Sequence, residues 1–168
     1  MGERLTTGEI CTREVSIAFK HTSLVEAAQL MRQNHVGCLV VVDDEDGSRS
    51  VRGLITDRDM VMSVIATGLD PAPLCVEDVM TERLVTALES DSLMDLMRSM
   101  REHGVRRVPV VGLQDELMGL VTMDDVFKIL AQEMNMLVGS ISTEIRHERE
   151  RPVDEVRDQG QRRLVLVV

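Results

Sequence analysis

The sequence predicts an α+β fold: two tandem β-α-β-β-α units, packed about a pseudo-twofold axis, with a long helix at the C-terminal end. The first observation behind this is an internal repeat. Residues 8–42 align without a gap on residues 77–111 at an offset of 69, and nine of the 35 pairs are identical, among them Thr12/Thr81, Ser23/Ser92, Met31/Met100 and Val41/Val110. Second, after a three-residue difference in one turn the match resumes at an offset of 66. There Gly53-Leu54-Ile55-Thr56-Asp57-Arg58-Asp59 meets Gly119-Leu120-Val121-Thr122-Met123-Asp124-Asp125. Third, both copies show the same succession of apolar runs and helical stripes. A period this long marks duplication of a whole unit rather than a solenoid array. A unit of about 60 residues buries only about 60% of its unfolded surface and is marginal alone. Two copies are therefore expected to share an apolar interface, and such interfaces create clefts suited to ligands.

Each copy opens with a short strand, near residues 16–19 and 85–88. A Ser or Asp N-cap and an amphipathic helix follow. Ser23 precedes Leu24, Ala27, Ala28, Leu30 and Met31; Asp91 or Ser92 precedes Leu93, Leu96, Met97 and Met100. These spacings put the apolar side chains on one stripe. The helices stop at Asn34-His35 and His103-Gly104. Next come the continuous runs Cys38-Leu39-Val40-Val41-Val42 and Val108-Pro109-Val110-Val111, which read as buried strands. Pro109 has no N–H for a ladder, so its strand should lie at an edge there, or begin there. The turn Asp43-Asp44-Glu45-Asp46-Gly47 is long and acidic, and Gly112-Leu113-Gln114-Asp115-Glu116 is tighter. A third strand follows in each copy (residues 51–55 and 117–121), completing a hairpin, and a second helix starts at Thr56 and at Thr122.

These readings place the first repeat at 8–67, a Pro/Gly-containing linker at 68–77, the second repeat at 78–135, and a helical extension with a charged tail at 136–168. Val126, Leu130, Met134, Leu137, Ile141 and Ile145 keep a spacing of three or four well past the length of the first copy's counterpart. An apolar stripe with no repeat partner suggests a second subunit. The tail ends in Leu164-Val165-Leu166-Val167-Val168 and reads either as an added strand or as a disordered end.

Composition narrows the function. There are two Phe, no Trp and no Tyr, so the core is built from aliphatic residues and 12 Met. A net charge of −10 without a basic stripe argues against non-specific nucleic-acid binding. No apolar run is long enough to span a bilayer and no signal region opens the chain, so a soluble, cytoplasmic protein without membrane attachment is expected. Cys11, Cys38 and Cys75 are scattered, as are His21, His35, His103 and His147, and neither a disulfide framework nor a metal site is expected. No catalytic constellation or glycine-rich P-loop stands out. The chain is read as a binding module, not an enzyme.

The repeated Thr-x-x-Asp carries the candidate chemistry. Thr56 and Thr122 fall where a strand ends and a helix begins, where free N–H groups and the helix dipole favour an anion. Asp59 and Asp125, one turn on, can each accept two hydrogen bonds from the vicinal hydroxyls of a ribose. The same spacing is close to a helix capping box, and capping is compatible with binding. Arg58 stands within the first motif. The second has Met123 and Asp124 there, but Arg106 and Arg107 precede its middle strand.

Two units that each end in Gly-hydrophobic-hydrophobic-Thr-x-x-Asp, one of them with Arg-Val-Pro-Val-Val, resemble a tandem pair of cystathionine beta-synthase (CBS) domains, a Bateman-type regulatory module. The resemblance covers roughly residues 8–135. It implies a non-catalytic sensor, needing no cofactor for catalysis, that binds an adenosine-containing ligand (AMP, ADP, ATP, NAD or S-adenosylmethionine) between its repeats. It further implies homodimerisation and signalling to a protein partner. The binding residues it implies are Ser16, Ile17, Gly37, Cys38, Leu39, Thr56, Asp57, Arg58 and Asp59 in the first copy. In the second they are Thr86, Arg106, Arg107, Val108, Pro109, Thr122, Met123, Asp124 and Asp125. The family often carries a hydroxyl residue on the first strand; Thr86 matches it, whereas the first copy has Ile17 beside Ser16. The two sites are therefore expected to differ in affinity or ligand. The alternative is a ligand-free structural protein that docks a partner through its last helix.

Overall fold

A computed structural model describes residues 5–45 and 48–150. The acidic turn at Asp46-Gly47, the side chain of Ile145 and the tail from Arg151 lie outside the described residues. The elements are α1 (Thr7–Ile10), β1 (Ile17–Ala18), α2 (Leu24–Asn34), β2 (Cys38–Glu45), β3 (Ser48–Thr56) and α3 (Asp57–Met60), which runs on into a π-helical turn at Val61–Ile65. A 3-10 turn at Val76–Asp78 leads to β4 (Ala87–Leu88), α4 (Leu93–His103), β5 (Arg107–Val111), β6 (Leu117–Thr122) and α5 (Met123–Glu150). The fold is α+β, with two three-stranded sheets of order β1-β2-β3 and β4-β5-β6. The described residues separate into two compact units, one ending at Lys128 and holding both sheets, the other beginning at Ile129.

The local rules read from the sequence place these elements. Ser23 and Ser92 cap α2 and α4 by accepting from the N–H groups of Glu26 and Asp95. Both helices end on a left-handed residue, His35 at φ 53° and Gly104 at φ 65°. Glycine adopts that conformation freely, and histidine does so at some cost. In each sheet the first strand runs parallel to the second, and the second and third form an antiparallel hairpin. β5 is central, yet β4 pairs only with Val110 and Val111, so at Pro109 the strand has a ladder neighbour on one side only. The missing N–H is accommodated there.

The two repeats exchange their leading segments. Residues 74–81 precede the second repeat in the chain but pack in space on the first: Val76 and Met80 are buried in the cluster formed by Leu24, Leu39, Val41 and Ile55. Residues 5–12 do the reverse, with Ile10 and Cys11 packed against the cluster of Leu96, Met100, Val108 and Val121. Reciprocal backbone hydrogen bonds fasten both segments. The Leu54 and Thr81 N–H groups donate to each other's carbonyls at 3.1 and 2.8 Å, and those of Thr12 and Leu120 do so at 2.9 and 3.0 Å. The linker of the chain is thus part of the first repeat's core.

This exchange explains the glycine that opens each motif. A Cβ on Gly53 would stand 2.9 Å from Met80 Sδ and 3.1 Å from the Thr81 carbonyl; one on Gly119 would stand 2.6 Å from Cys11 Sγ and 2.9 Å from the Thr12 carbonyl. Only a bare backbone lets the exchanged segment approach so closely. Gly119→Ala is expected to destabilise the protein by about 1–3 kcal/mol through overpacking against that carbonyl, measured by urea unfolding. A variant as stable as the parent would show that the segment is not held there.

Candidate functional site

The Thr-x-x-Asp motifs end the two hairpins at equivalent points. Thr56 is the N-cap of α3, and Asp59 N–H donates to Thr56 Oγ1 at 3.2 Å. In return Asp59 Oδ2 accepts from the Thr56 N–H at 2.9 Å and from its hydroxyl at 2.7 Å. Thr122 and Asp125 repeat the arrangement, with Oδ2 accepting at 3.0 and 2.6 Å. Each motif is therefore a capping box, and it spends only one carboxylate oxygen. Asp59 Oδ1 takes no hydrogen bond from any described residue. Asp125 Oδ1 is engaged by Lys128 Nζ at 3.3 Å. Burial pushes the Asp125 carboxyl up, but the Thr122 hydrogen bonds and Lys128 outweigh it and hold the group below its ordinary value. The helix following Thr56 runs four residues before passing into the π-helical turn at Val61–Ile65.

A cleft of about 290 Å³ opens at the first motif, near the lower end of the roughly 300–1,000 Å³ typical of small-molecule sites. Both repeats build it. Leu54, Thr56, Arg58 and Asp59 come from the first; Thr81, Arg83, Leu84 and Val85 come from the segment that crosses over; Gly104, Val105 and Arg106 come from the turn between α4 and β5, and Arg107 opens β5. A smaller hollow of about 140 Å³ lies beside the second motif, lined by Arg106, Arg107, Thr122, Met123 and Asp124. Arg106 and Arg107 border both. A larger hollow of about 560 Å³ is lined by residues of the second repeat alone, including Leu88, Val111, Gly112 and Glu116. It holds none of the paired motif residues, so the motif cleft is the candidate site despite its smaller size.

The structure thus brings Thr56, Arg58 and Asp59 together with Arg106 and Arg107 from the other repeat. Asp125 is half-buried beside the smaller hollow, joined to Thr122. Cys38, Leu39, Val108 and Pro109 are buried in the sheets and do not line the cleft; of these, Leu39 and Val108 pack into the two cores. Leu54, Leu84, Val85 and Val105 supply its apolar walls instead. Burial pushes the Cys38 thiol up to about 11, with Arg107 opposing and Asp59 and Asp57 adding to the rise, so it is uncharged near neutrality. Gly37 accepts from the Asp57 N–H at 3.2 Å through its carbonyl. Asp57 Oδ1 is turned to its neighbour's N–H, Ser16 Oγ accepts from Asn34 Nδ2, and neither these nor Ile17 and Thr86 line the cleft.

Arg83, Leu84 and Val85 were not singled out by the sequence reading. Their place depends on the crossover, whose one sequence trace is the identity of Thr12 and Thr81. Val85 also carries a consequence of Pro109. In the first copy the Ser16 carbonyl accepts the Val40 N–H at 3.0 Å. Pro109 occupies Val40's equivalent position and has no N–H, so the Val85 carbonyl receives no hydrogen bond from the described residues.

Two repeats that exchange segments, each ending in a Thr-Asp motif beside a hollow, define a tandem binding module. Residues 8–66 and 76–132 each match the CBS domain family, and the chain belongs to it. Among its relatives, the CBS domain-containing protein YhcV of Bacillus subtilis is 35% identical over 82% of this chain and 92% of its own length. An uncharacterized protein of Methanopyrus kandleri is 30% identical over 74% of this chain, which spans only 62% of that relative. Of solved structures, an uncharacterized conserved protein from Pyrococcus horikoshii superposes with a TM-score of 0.67 at 30% identity, covering 77% of this chain and 94% of that one. CBSX2 in complex with AMP superposes with a TM-score of 0.64 at 25% identity, over 77% and 98%.

Proposed function

We propose that the protein is a non-catalytic sensor that takes an adenosine-containing ligand in the cleft between its repeats and signals occupancy to a protein partner. The observation that carries this reading is a cleft walled by both repeats, in which Asp59 keeps one carboxylate oxygen open beside apolar walls. Asp59 Oδ1 accepts the ribose hydroxyls, Leu54, Leu84, Val85 and Val105 enclose the base, and the Val85 carbonyl accepts from its amino group. A ligand touching both repeats favours the tightly packed arrangement over looser ones and shifts that equilibrium. The AMP bound to CBSX2 supports the ligand class. The protein partner is what the family resemblance implies for a regulatory module.

We further propose that a second copy of the chain packs on α5. Leu130, Met134, Leu137 and Ile141 are 40–66% exposed and alternate four, three and four residues apart, the spacing at which identical helices interlock. Between 129 and 143 the helix carries one charged residue, Glu133, so the stripe has little charge to keep it in water.

Protein unfolded and refolded to strip carried-over ligand tests both readings. An adenine nucleotide at 100 times its Kd should add about 2.7 kcal/mol of apparent stability in a thermal-shift series, and Asp59→Ala should weaken binding about tenfold or more. No response to any adenine compound would favour the ligand-free structural alternative. In light scattering the parent should run as a dimer and Leu137→Glu as a monomer; an unchanged mass would remove α5 from the contact.

A further inference from the structure

The repeats are twins in backbone but opposites in charge at the motifs. Arg58 of the first copy corresponds to Asp124 at the offset of 66, and at the offset of 69 Arg83 corresponds to Glu14, Arg106 to Gly37 and Arg107 to Cys38. Four arginines thus line the cleft at Asp59, against that one carboxylate. None of them forms an ion pair with a described carboxylate; the described ion pairs use Arg13, Arg52, Arg98 and Lys128. Unpaired guanidinium groups converging on one hollow match a phosphate, whose oxygens they bind in a planar, often bidentate fashion. At the second motif Asp124 joins the lining of the smaller hollow, facing only the shared Arg106 and Arg107 there, and Asp125 beside it is paired with Lys128.

Two polar groups divide the same way. Asp59 Oδ1 is open, whereas Asp125 Oδ1 is taken by Lys128; the residue equivalent to Lys128 in the first copy is Met62. The Val85 carbonyl beside Asp59 is open because Pro109 cannot donate, whereas the equivalent Ser16 carbonyl is taken by Val40. Charge, ribose acceptor and base acceptor all favour one cleft.

From this we infer that each chain holds one phosphorylated adenosine, in the Asp59 cleft, its phosphate over Arg83, Arg106 and Arg107, and that the equivalent position at Asp125 rejects phosphorylated ligands. The inference rests on the sensor reading above and adds the ligand's charge, its cleft and the stoichiometry.

Calorimetry on refolded full-length protein with AMP and adenosine as probes, using a matched pair of charge reversals, tests it. The parent should bind one AMP per chain and prefer AMP to adenosine about tenfold or more. Arg83→Glu should collapse that preference, while Glu14→Arg, the reversal at the mirrored exposed position, should leave AMP binding unchanged. Because both positions are exposed, neither variant threatens the fold, and circular dichroism checks this. Two AMP molecules per chain of equal affinity, or an AMP preference indifferent to Arg83→Glu, would overturn the inference and leave the sensor reading standing. No binding of either probe would overturn both.

Discussion

The structure depends on a reciprocal exchange between its halves. Leu54 with Thr81 and Thr12 with Leu120 form two short backbone bridges, each tying the leading segment of one repeat to the last strand of the other. Each repeat is completed by chain that belongs in sequence to its neighbour: Val76 and Met80 fill the core of the first, Ile10 and Cys11 pack on the second. Neither half has its full core without the other, which is how two units of marginal size form one stable body.

The candidate site follows from where those bridges lie. The bridged strands β3 and β6 end in the two threonines, so each crossing segment runs beside a Thr-Asp pair. At Leu54 and Thr81 this brings Arg83, Leu84 and Val85 against Thr56 and Asp59. At Asp59 the capping box holds the carboxylate through one oxygen and leaves the other without a hydrogen bond from the described residues. Duplication supplied two such frames, and divergence at a few positions (Arg58/Asp124, Arg83/Glu14, Pro109/Val40 and Lys128/Met62) gave them different electrostatic characters.

Much of the fold was legible in the chain because it rests on local chemistry. Ser23 and Ser92 cap helices where their sequence context says they should, His35 and Gly104 end them, and the runs at Cys38 and Val108 form the buried central strands. The motif residues Thr56, Arg58 and Asp59 were legible for the same reason, aided by their repetition. What local pattern does not carry is which repeat a connecting segment packs on. Nothing in the spacing of residues 74–85 says that it crosses over, so Arg83 and the apolar wall at Leu84 and Val85 became visible only in three dimensions. The hydrophobic runs likewise marked Leu39 and Val108 as strand residues but not which way their side chains point. They point into the cores, and Leu54 and Val105 face the cleft in their stead.

The central claim is that a ligand at Asp59 works by clamping the crossing segment to the first repeat. Amide hydrogen exchange on refolded protein, with and without saturating AMP, measures this most directly. The Leu54 and Thr81 amides, whose hydrogen bonds span 3.1 and 2.8 Å, should exchange markedly more slowly when AMP is bound, while those of Thr12 and Leu120 should change little. Equal protection at both bridges, or none at Leu54 and Thr81, would contradict the account.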